Sequence, residues 1–192
     1  MYLPPLFFRK LCNRNVFVQD VSTRFLARTA VGGISVAQRV CLVNALGHAG
    51  LQSIEVTSPP TGKATNVDES AVWSQIDRLP GVSYVAFVND MAGAERALMN
   101  GASEIRLAIC LSETKNLALS GLTTEQSAVV LKDIIHAVHG AATVGIAVEG
   151  AFGDAQEGKS SEADLVEIGD WFAHHGASSI TLCDTEIVAH PV

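Results

Sequence analysis

The sequence predicts an α/β protein in which βα units repeat along a parallel sheet. Short runs of β-forming residues alternate with longer runs of helical period along the 192 residues. Only 17% of the residues are charged and the mean hydropathy is +0.27, as is typical when strands are buried on both faces. Capping residues begin the helical runs and glycines end most of them, so the predicted boundaries agree with the apolar period.

Six segments are predicted to be strands, because each combines apolar and β-branched residues between turn-forming residues. They are residues 15–20, 52–57, 82–88, 103–109, 143–149 and 178–182.

Five helices are predicted between these strands. The first begins at Ser35, where Gln38 completes a capping box, and it ends at Gly50. The second spans 69–78 and stops before a Pro-Gly pair, and the third runs from 90 to 100. The fourth spans 123–140 and the fifth 161–176. The apolar period of the fourth helix predicts that five side chains face the sheet: Val129, Val130, Ile134, Ile135 and Val138.

Two architectures fit this repeat, a doubly wound open sheet and a (β/α)8 barrel. The first βα turn lacks G-x-G-x-x-G and the chain has no P-loop sequence, which argues against a nucleotide-binding open sheet. We therefore predict a TIM-barrel-like fold over residues 15–192, after a leader segment at 1–14. A full barrel needs eight strands and about 250 residues, and this sequence provides about six of the eight βα units. We expect either that the protein continues beyond residue 192 or that it is a short variant.

The composition limits the partners. Thirteen Lys and Arg against twenty Asp and Glu give a formal charge of −7, so neither a nucleic acid nor an anionic membrane surface is an expected partner. No uninterrupted apolar run reaches the about 18 residues that a membrane-spanning helix needs. The four cysteines are scattered and form no C-x-x-C pair, so we expect reduced thiols and a cytoplasmic protein.

Polar residues follow the predicted strands, at the end where a barrel carries its chemistry. Residues 20–24 read Asp-Val-Ser-Thr-Arg, and residues 49–58 read Ala-Gly-Leu-Gln-Ser-Ile-Glu-Val-Thr-Ser. Further along, 112–116 read Ser-Glu-Thr-Lys-Asn, 157–159 read Glu-Gly-Lys, and an Asp-Thr pair at 184–185 precedes Pro191. In their order and spacing, these five segments resemble motifs of the metal-dependent lyase barrels that include 3-hydroxy-3-methylglutaryl-CoA lyase.

The resemblance implies a lyase that cleaves 3-hydroxy-3-methylglutaryl-CoA to acetyl-CoA and acetoacetate, in leucine degradation. It implies an acyl-CoA as small-molecule partner, a divalent cation (Mg²⁺ or Mn²⁺) on the substrate oxygens, and it allows a homo-oligomer. It assigns catalytic roles to Arg24, Glu55 and Asp184, with the Arg24 guanidinium next to the departing enolate. It assigns substrate contacts to Asp20, Thr57, Ser112 and Thr185.

One position departs from the family pattern. The family has an aspartate, a metal ligand, directly after the arginine, and this chain has Phe25, which cannot coordinate a cation. The family's other ligands, an H-x-H pair and an asparagine, would follow residue 192, so the resemblance identifies no metal ligand in this sequence. Two other hypotheses therefore stand beside the lyase: a non-catalytic protein that binds an acyl-CoA, and an aldolase or synthase of the same superfamily.

The candidate residues also have structural interpretations. Arg24 and Glu55 are expected to face each other from adjacent strands, either as a buried ion pair or as the pair that grips the thioester. Asp184 is equally suited to capping a turn, and Ser112 to capping a helix after the fourth strand. The two interpretations differ in the side-chain contacts that they predict.

Overall fold

Strands and helices alternate along the computed structural model, which describes residues 17–23, 26, 34–57, 69–153, 157–185 and 187. The strands are β1 (Gln19–Asp20), β2 (Ser53–Thr57), β3 (Ser83–Phe87), β4 (Glu104–Cys110), β5 (Thr143–Glu149) and β6 (Ser179–Leu182). The helices of the described residues are α1 (Val36–His48), α2 (Glu69–Trp73), α3 (Met91–Met99), α4 (Glu113–Ser120), α5 (Thr124–Val138) and α6 (Glu162–His174). The predicted leader, 1–14, lies outside the described residues.

The six strands form one parallel sheet in which each strand pairs with the next along the chain. The sheet is curled, because Arg106 on β4 donates hydrogen bonds both to Thr181 on β6 and to Gln19 on β1. Three strand spacings separate β4 from β1, about 14 Å along a flat sheet. Side chains that stand perpendicular to a sheet meet across that distance only if the sheet curves toward them. The predicted α/β, TIM-barrel-like fold is therefore confirmed, in the form of a half-barrel.

The main hydrophobic core lies between the convex face of the sheet and the helices. Ile54 on β2, Leu107 on β4 and Ile146 on β5 are fully buried there, together with Phe172 of α6. Because strand side chains alternate between faces, the intervening residues point to the concave side. The buried polar residues Glu55 and Arg106 lie on this concave side.

Helix starts follow the predicted capping residues. Ser35 and Thr123 form capping boxes, and Asp90 and Ser161 accept backbone hydrogen bonds at the starts of α3 and α6. These signals are local, so the sequence alone reveals them. No helix in the described part of the chain is both long and apolar enough to cross a membrane.

The predicted extent of the second helix is wrong. α2 ends at Trp73 and not at residue 78. Farther along, Asn44 accepts a hydrogen bond from the backbone N of Asp77, and the Tyr84 hydroxyl accepts one from the backbone N of Leu79. These tertiary contacts take up amides that a longer helix would use internally.

The predicted buried face of the fourth helix, α5, is partly wrong. Val129 and Val130 are 45% and 42% exposed. The buried stripe instead consists of Ser127, Leu131, Ile134, Ile135 and Val138. A polar residue, Ser127, belongs to this stripe because it hydrogen-bonds a buried asparagine described below.

Arg106 is confined on the concave side of the sheet. Its guanidinium pairs with Glu104, and its Nε is buried without a hydrogen-bond partner. Gly145, its neighbour in register on β5, leaves room for it. A Cβ at Gly145 would lie 2.7 Å from the Arg106 Nε and 2.6 Å from the Ser179 Oγ, distances that real Cβ atoms essentially never show. A larger residue at this position would therefore have to displace the Arg106 or Ser179 side chain.

Gly145→Ala is expected to lower the free energy of unfolding by about 2 kcal/mol, because overpacking shifts side chains from their preferred positions. Urea denaturation measures the change. Gly169→Ala is the matched control, since a Cβ at Gly169 in α6 meets nothing within 4 Å, and alanine there should stabilise by about 0.5 kcal/mol. In a protein that carries Arg106→Met, Gly145→Ala should cost less stability than in the wild type. Strictly additive effects of the two substitutions would contradict the contact between residues 106 and 145.

Candidate active site

Glu55 occupies the concave side near the carboxyl end of β2. It is fully buried, and its neighbours Ile54 and Val56 belong to the core on the convex side. Alternation along the strand therefore places the Glu55 carboxylate inside the half-barrel. The Thr23 hydroxyl donates a 2.6 Å hydrogen bond to the Glu55 carbonyl oxygen. The segment after β1 is thus attached to β2 at the level of Glu55.

Asp20 fixes the same segment from its other end. Its carboxylate accepts hydrogen bonds from the backbone N and the hydroxyl of Ser22, each 2.9 Å long, so it closes a local turn. Asp20 thus has a structural role, and its predicted substrate contact stays a prediction. Arg24 and Phe25 lie outside the described residues, so the pairing of Arg24 with Glu55 also stays a prediction.

Thr57 belongs to the packing of a helix. The pairing register of β2 with β3 shifts between Glu55 and Thr57. The buried Thr57 hydroxyl accepts a 3.2 Å hydrogen bond from the indole of Trp73 in α2. This contact gives Thr57 a structural role, and its predicted substrate contact stays a prediction.

Residues 112–116 connect the end of β4 to two helices. Ser112 accepts a backbone hydrogen bond from the first turn of α4 and is its N-cap, the structural alternative considered above. Asn116 is buried, and its Oδ1 accepts a 3.2 Å hydrogen bond from the backbone N of Cys110. Its Nδ2 donates to the Leu122 carbonyl at 2.9 Å and to the Ser127 hydroxyl at 2.7 Å. The segment therefore fixes α4 and α5 against the strand.

Two carboxylates cap neighbouring helices at this end of the sheet. Glu157, between β5 and α6, accepts hydrogen bonds from the backbone N of Glu113 at 3.1 Å and of Thr114 at 2.8 Å, at the start of α4. Glu113 in turn accepts a 2.8 Å hydrogen bond from the backbone N of Thr124, the first residue of α5. Hydrogen bonds from Thr114, and weaker ones from Ser112 and Glu113, lower the pKa of Glu157.

The two remaining candidate residues follow β6. Asp184 is half-buried and Thr185 is exposed. Directly before them, the Cys183 carbonyl accepts a 3.3 Å hydrogen bond from the backbone N of Ala151, just after β5. The structure thus places Glu55, Ser112 and Asp184 at the carboxyl end of the same sheet. Their roles in catalysis and binding stay predictions.

The sequence and the fold match one family. Residues 19–192 match the family model described as HMGL-like, which covers most of the chain. The chain belongs to the HMGL-like family. The predicted family membership is therefore confirmed, and family members are lyases that are generally metal-dependent.

Several lyases of the HMGL-like family are similar to this chain. The mitochondrial hydroxymethylglutaryl-CoA lyase of Mus musculus is 30% identical over 159 residues, which are 80% of this chain and 48% of the relative. The lyase of Bacillus subtilis is 27% identical over 181 residues, 93% of this chain and 60% of the relative. An HMG-CoA lyase structure from Acinetobacter baumannii, in complex with coenzyme A and 3-methylmalate, has a TM-score of 0.84 at 29% identity. The matched region covers 91% of this chain and 58% of the A. baumannii chain. This chain thus spans about half the length of the relatives it matches.

The described residues do not form an HMGL-like metal centre by themselves. Among them, no group of three or more histidine, cysteine, aspartate or glutamate side chains is arranged to hold a metal ion. Hard cations such as Mg²⁺ need several oxygen ligands. Phe25, at the family's ligand position, supplies none. The donor set of the described part of the chain therefore does not fit the cation.

Two contacts of the HMGL-like motifs were not predicted. The sequence indicates no role for Glu157 in the Glu-Gly-Lys segment, because its backbone partner Glu113 lies 44 residues away. Thr23 has a recognisable signal, a hydroxyl directly before the family arginine, but its acceptor lies 32 residues away on β2. In both cases the motif residue acts through a contact that only the folded chain creates.

The Glu157 contacts make stability depend on pH. Because folding lowers the pKa of Glu157, its contribution is complete above the ordinary glutamate pKa of about 4.3 and is lost as the pH falls through the lower folded value. Glu157→Gln is therefore expected to lower the melting temperature at pH 7, by a difference that shrinks below about pH 4. Thermal melts of both proteins over this range measure it. A difference that is independent of pH would contradict the assignment.

Proposed function

We propose that this chain acts on an acyl-CoA as a carbon–carbon lyase of the hydroxymethylglutaryl-CoA lyase type. The observation that carries the proposal is the fully buried Glu55 carboxylate on the concave side of β2, in a chain of this family. The Thr23 hydroxyl bonds the Glu55 carbonyl. The segment that leads into Arg24 is therefore attached to β2 at the same residue. A buried carboxylate and a neighbouring guanidinium are the groups that proton transfer and enolate stabilisation require.

The reaction follows from these groups. Glu55 takes the proton of the tertiary hydroxyl of 3-hydroxy-3-methylglutaryl-CoA. The bond between C2 and C3 then breaks, the hydroxyl oxygen becomes the ketone of acetoacetate, and the electron pair moves into the thioester enolate. Arg24 stabilises this enolate as a permanent cation. Protonation of the enolate at carbon gives acetyl-CoA. Asp184, at the carboxyl end of the sheet, orients the substrate.

Coenzyme A is the part of the ligand with the most direct support. The similar A. baumannii structure contains coenzyme A and 3-methylmalate. By analogy, coenzyme A would lie across the carboxyl ends of the strands, where barrel folds bind their ligands. Leucine degradation, a cytoplasmic location and a homo-oligomer belong to the same proposal.

A second function is favoured by one observation. Phe25 replaces the family's metal-ligating aspartate, and the described residues offer no cluster of metal ligands. A chain that binds the ligand at the carboxyl end of the sheet and lacks the cation would hold an acyl-CoA without turning it over. An aldolase or synthase of the same superfamily, with another substrate, is a third candidate.

Two measurements on the full chain separate these functions. Calorimetric titration with coenzyme A and with Mn²⁺ tests binding, and an acetoacetate assay with 3-hydroxy-3-methylglutaryl-CoA tests turnover. Binding of both ligands with product formation supports the lyase. Binding of coenzyme A without product supports the acyl-CoA-binding function, and absence of coenzyme A binding overturns both.

A further inference from the structure

The segment between β5 and α6 folds back on itself at its two described ends. The Ser160 hydroxyl donates a 2.7 Å hydrogen bond to the Gly150 carbonyl, directly after β5. Gly153, with φ of +113°, approaches the other arm so closely that a Cβ there would lie 2.4 Å from the Gly158 carbonyl oxygen. Only glycine permits both this φ and this approach. We call the described residues 150–153 and 157–160 the β5–α6 rim.

The rim is attached on two sides. On one side, the backbone N of Ala151 donates a hydrogen bond to the carbonyl of Cys183, which directly precedes Asp184. On the other side, the Glu157 carboxylate bonds the first turn of α4. Glu157 is exposed, so its position depends on these charge-assisted hydrogen bonds and not on core packing. Loss of the carboxylate would release one side of the rim and leave the Ala151 contact as its main support.

We propose that Glu157 is a positioning residue of the acyl-CoA site, which holds the β5–α6 rim in place beside Asp184. The inference rests on the function proposed above, because it assumes that the ligand lies across the carboxyl end of the sheet. Such a ligand would pass beside the β5–α6 rim, at the carboxyl ends of β5 and β6. Glu157 acts on the ligand through the rim and the Cys183–Asp184 backbone, without contacting the ligand itself.

Glu157→Gln is expected to weaken coenzyme A binding about three- to tenfold, the range for residues that act on a site indirectly. Calorimetry, at a temperature where circular dichroism shows both variants to be folded, measures the affinity. Hydrogen exchange should rise within 111–114, 150–153 and 157–160 and stay unchanged in β2 and α1. A global loss of stability would instead raise exchange throughout the chain.

Glu113→Gln is the matched control, because it removes the same kind of carboxylate cap from α5 and keeps the Glu113 backbone N that Glu157 binds. It should lower the melting temperature and leave coenzyme A affinity within about twofold of the wild type. Equal affinities for wild type and Glu157→Gln, or equal losses in both variants, would overturn the role of Glu157 and leave the proposed function standing. A wild-type chain that does not bind coenzyme A would overturn both.

Discussion

Replacement of Glu55 by glutamine is expected to lower the turnover of 3-hydroxy-3-methylglutaryl-CoA at least about 100-fold, because a positioned general acid or base contributes about 10²–10⁴ in rate. Glutamine preserves the shape of the fully buried side chain but cannot take up the hydroxyl proton. Coenzyme A affinity should stay close to the wild-type value, since proton transfer belongs to the chemical step. Steady-state acetoacetate formation and coenzyme A calorimetry, measured on the same preparations, test both statements.

Glu104→Gln provides the control for Glu55. Glu104 is a half-buried carboxylate at the amino end of β4, where it pairs with Arg106. Barrel chemistry lies at the opposite end of the strands, so this substitution should lower the melting temperature and change turnover less than about twofold. Wild-type turnover in Glu55→Gln would show that Glu55 serves only structure, as a buried ion-pair partner.

Local signals account for the parts of the fold that the sequence predicts well. The predicted strand 143–149 agrees with β5 at both ends, because apolar and β-branched residues fill the segment between glycines. The capping boxes at Ser35 and Thr123 form within four residues of chain, so their chemistry can be recognised without a fold. Parallel pairing in chain order follows from the βα repeat.

Contacts between distant segments account for the parts that it does not predict. Val129 and Val130 are as apolar as their buried neighbours, but they lie off the buried stripe of α5 that begins at Ser127. The hydrogen bond from Trp73 to Thr57 joins residues of two different elements, β2 and α2. For Glu55, the prediction was a position facing Arg24 from the adjacent strand, and Arg24 lies outside the described residues. Candidate positions were thus predictable, and most of their contacts were not.

Asn116→Ala is expected to lower the free energy of unfolding by about 3 kcal/mol. The substitution leaves the backbone N of Cys110, the Leu122 carbonyl and the Ser127 hydroxyl without the partner that Asn116 provides inside the protein. A buried polar group that loses its partner costs about 1–3 kcal/mol. Because these contacts join β4, α4 and α5, the loss should appear in the global transition. Urea denaturation, followed by far-ultraviolet circular dichroism, measures it.

Two further variants separate the donor and acceptor functions of Asn116. Asn116→Asp keeps an acceptor for the Cys110 amide but places a carboxylate against the Leu122 carbonyl, so we expect a loss at pH 7 at least as large as that of alanine. Burial should raise the pKa of the new carboxyl, so its stability should recover as the pH falls and the group becomes a donor. Asn44→Ala removes a single exposed contact, with the backbone N of Asp77, and should cost less than about 1 kcal/mol. Equal losses at Asn44 and Asn116 would show that the buried network does not hold α4 and α5 to the strand.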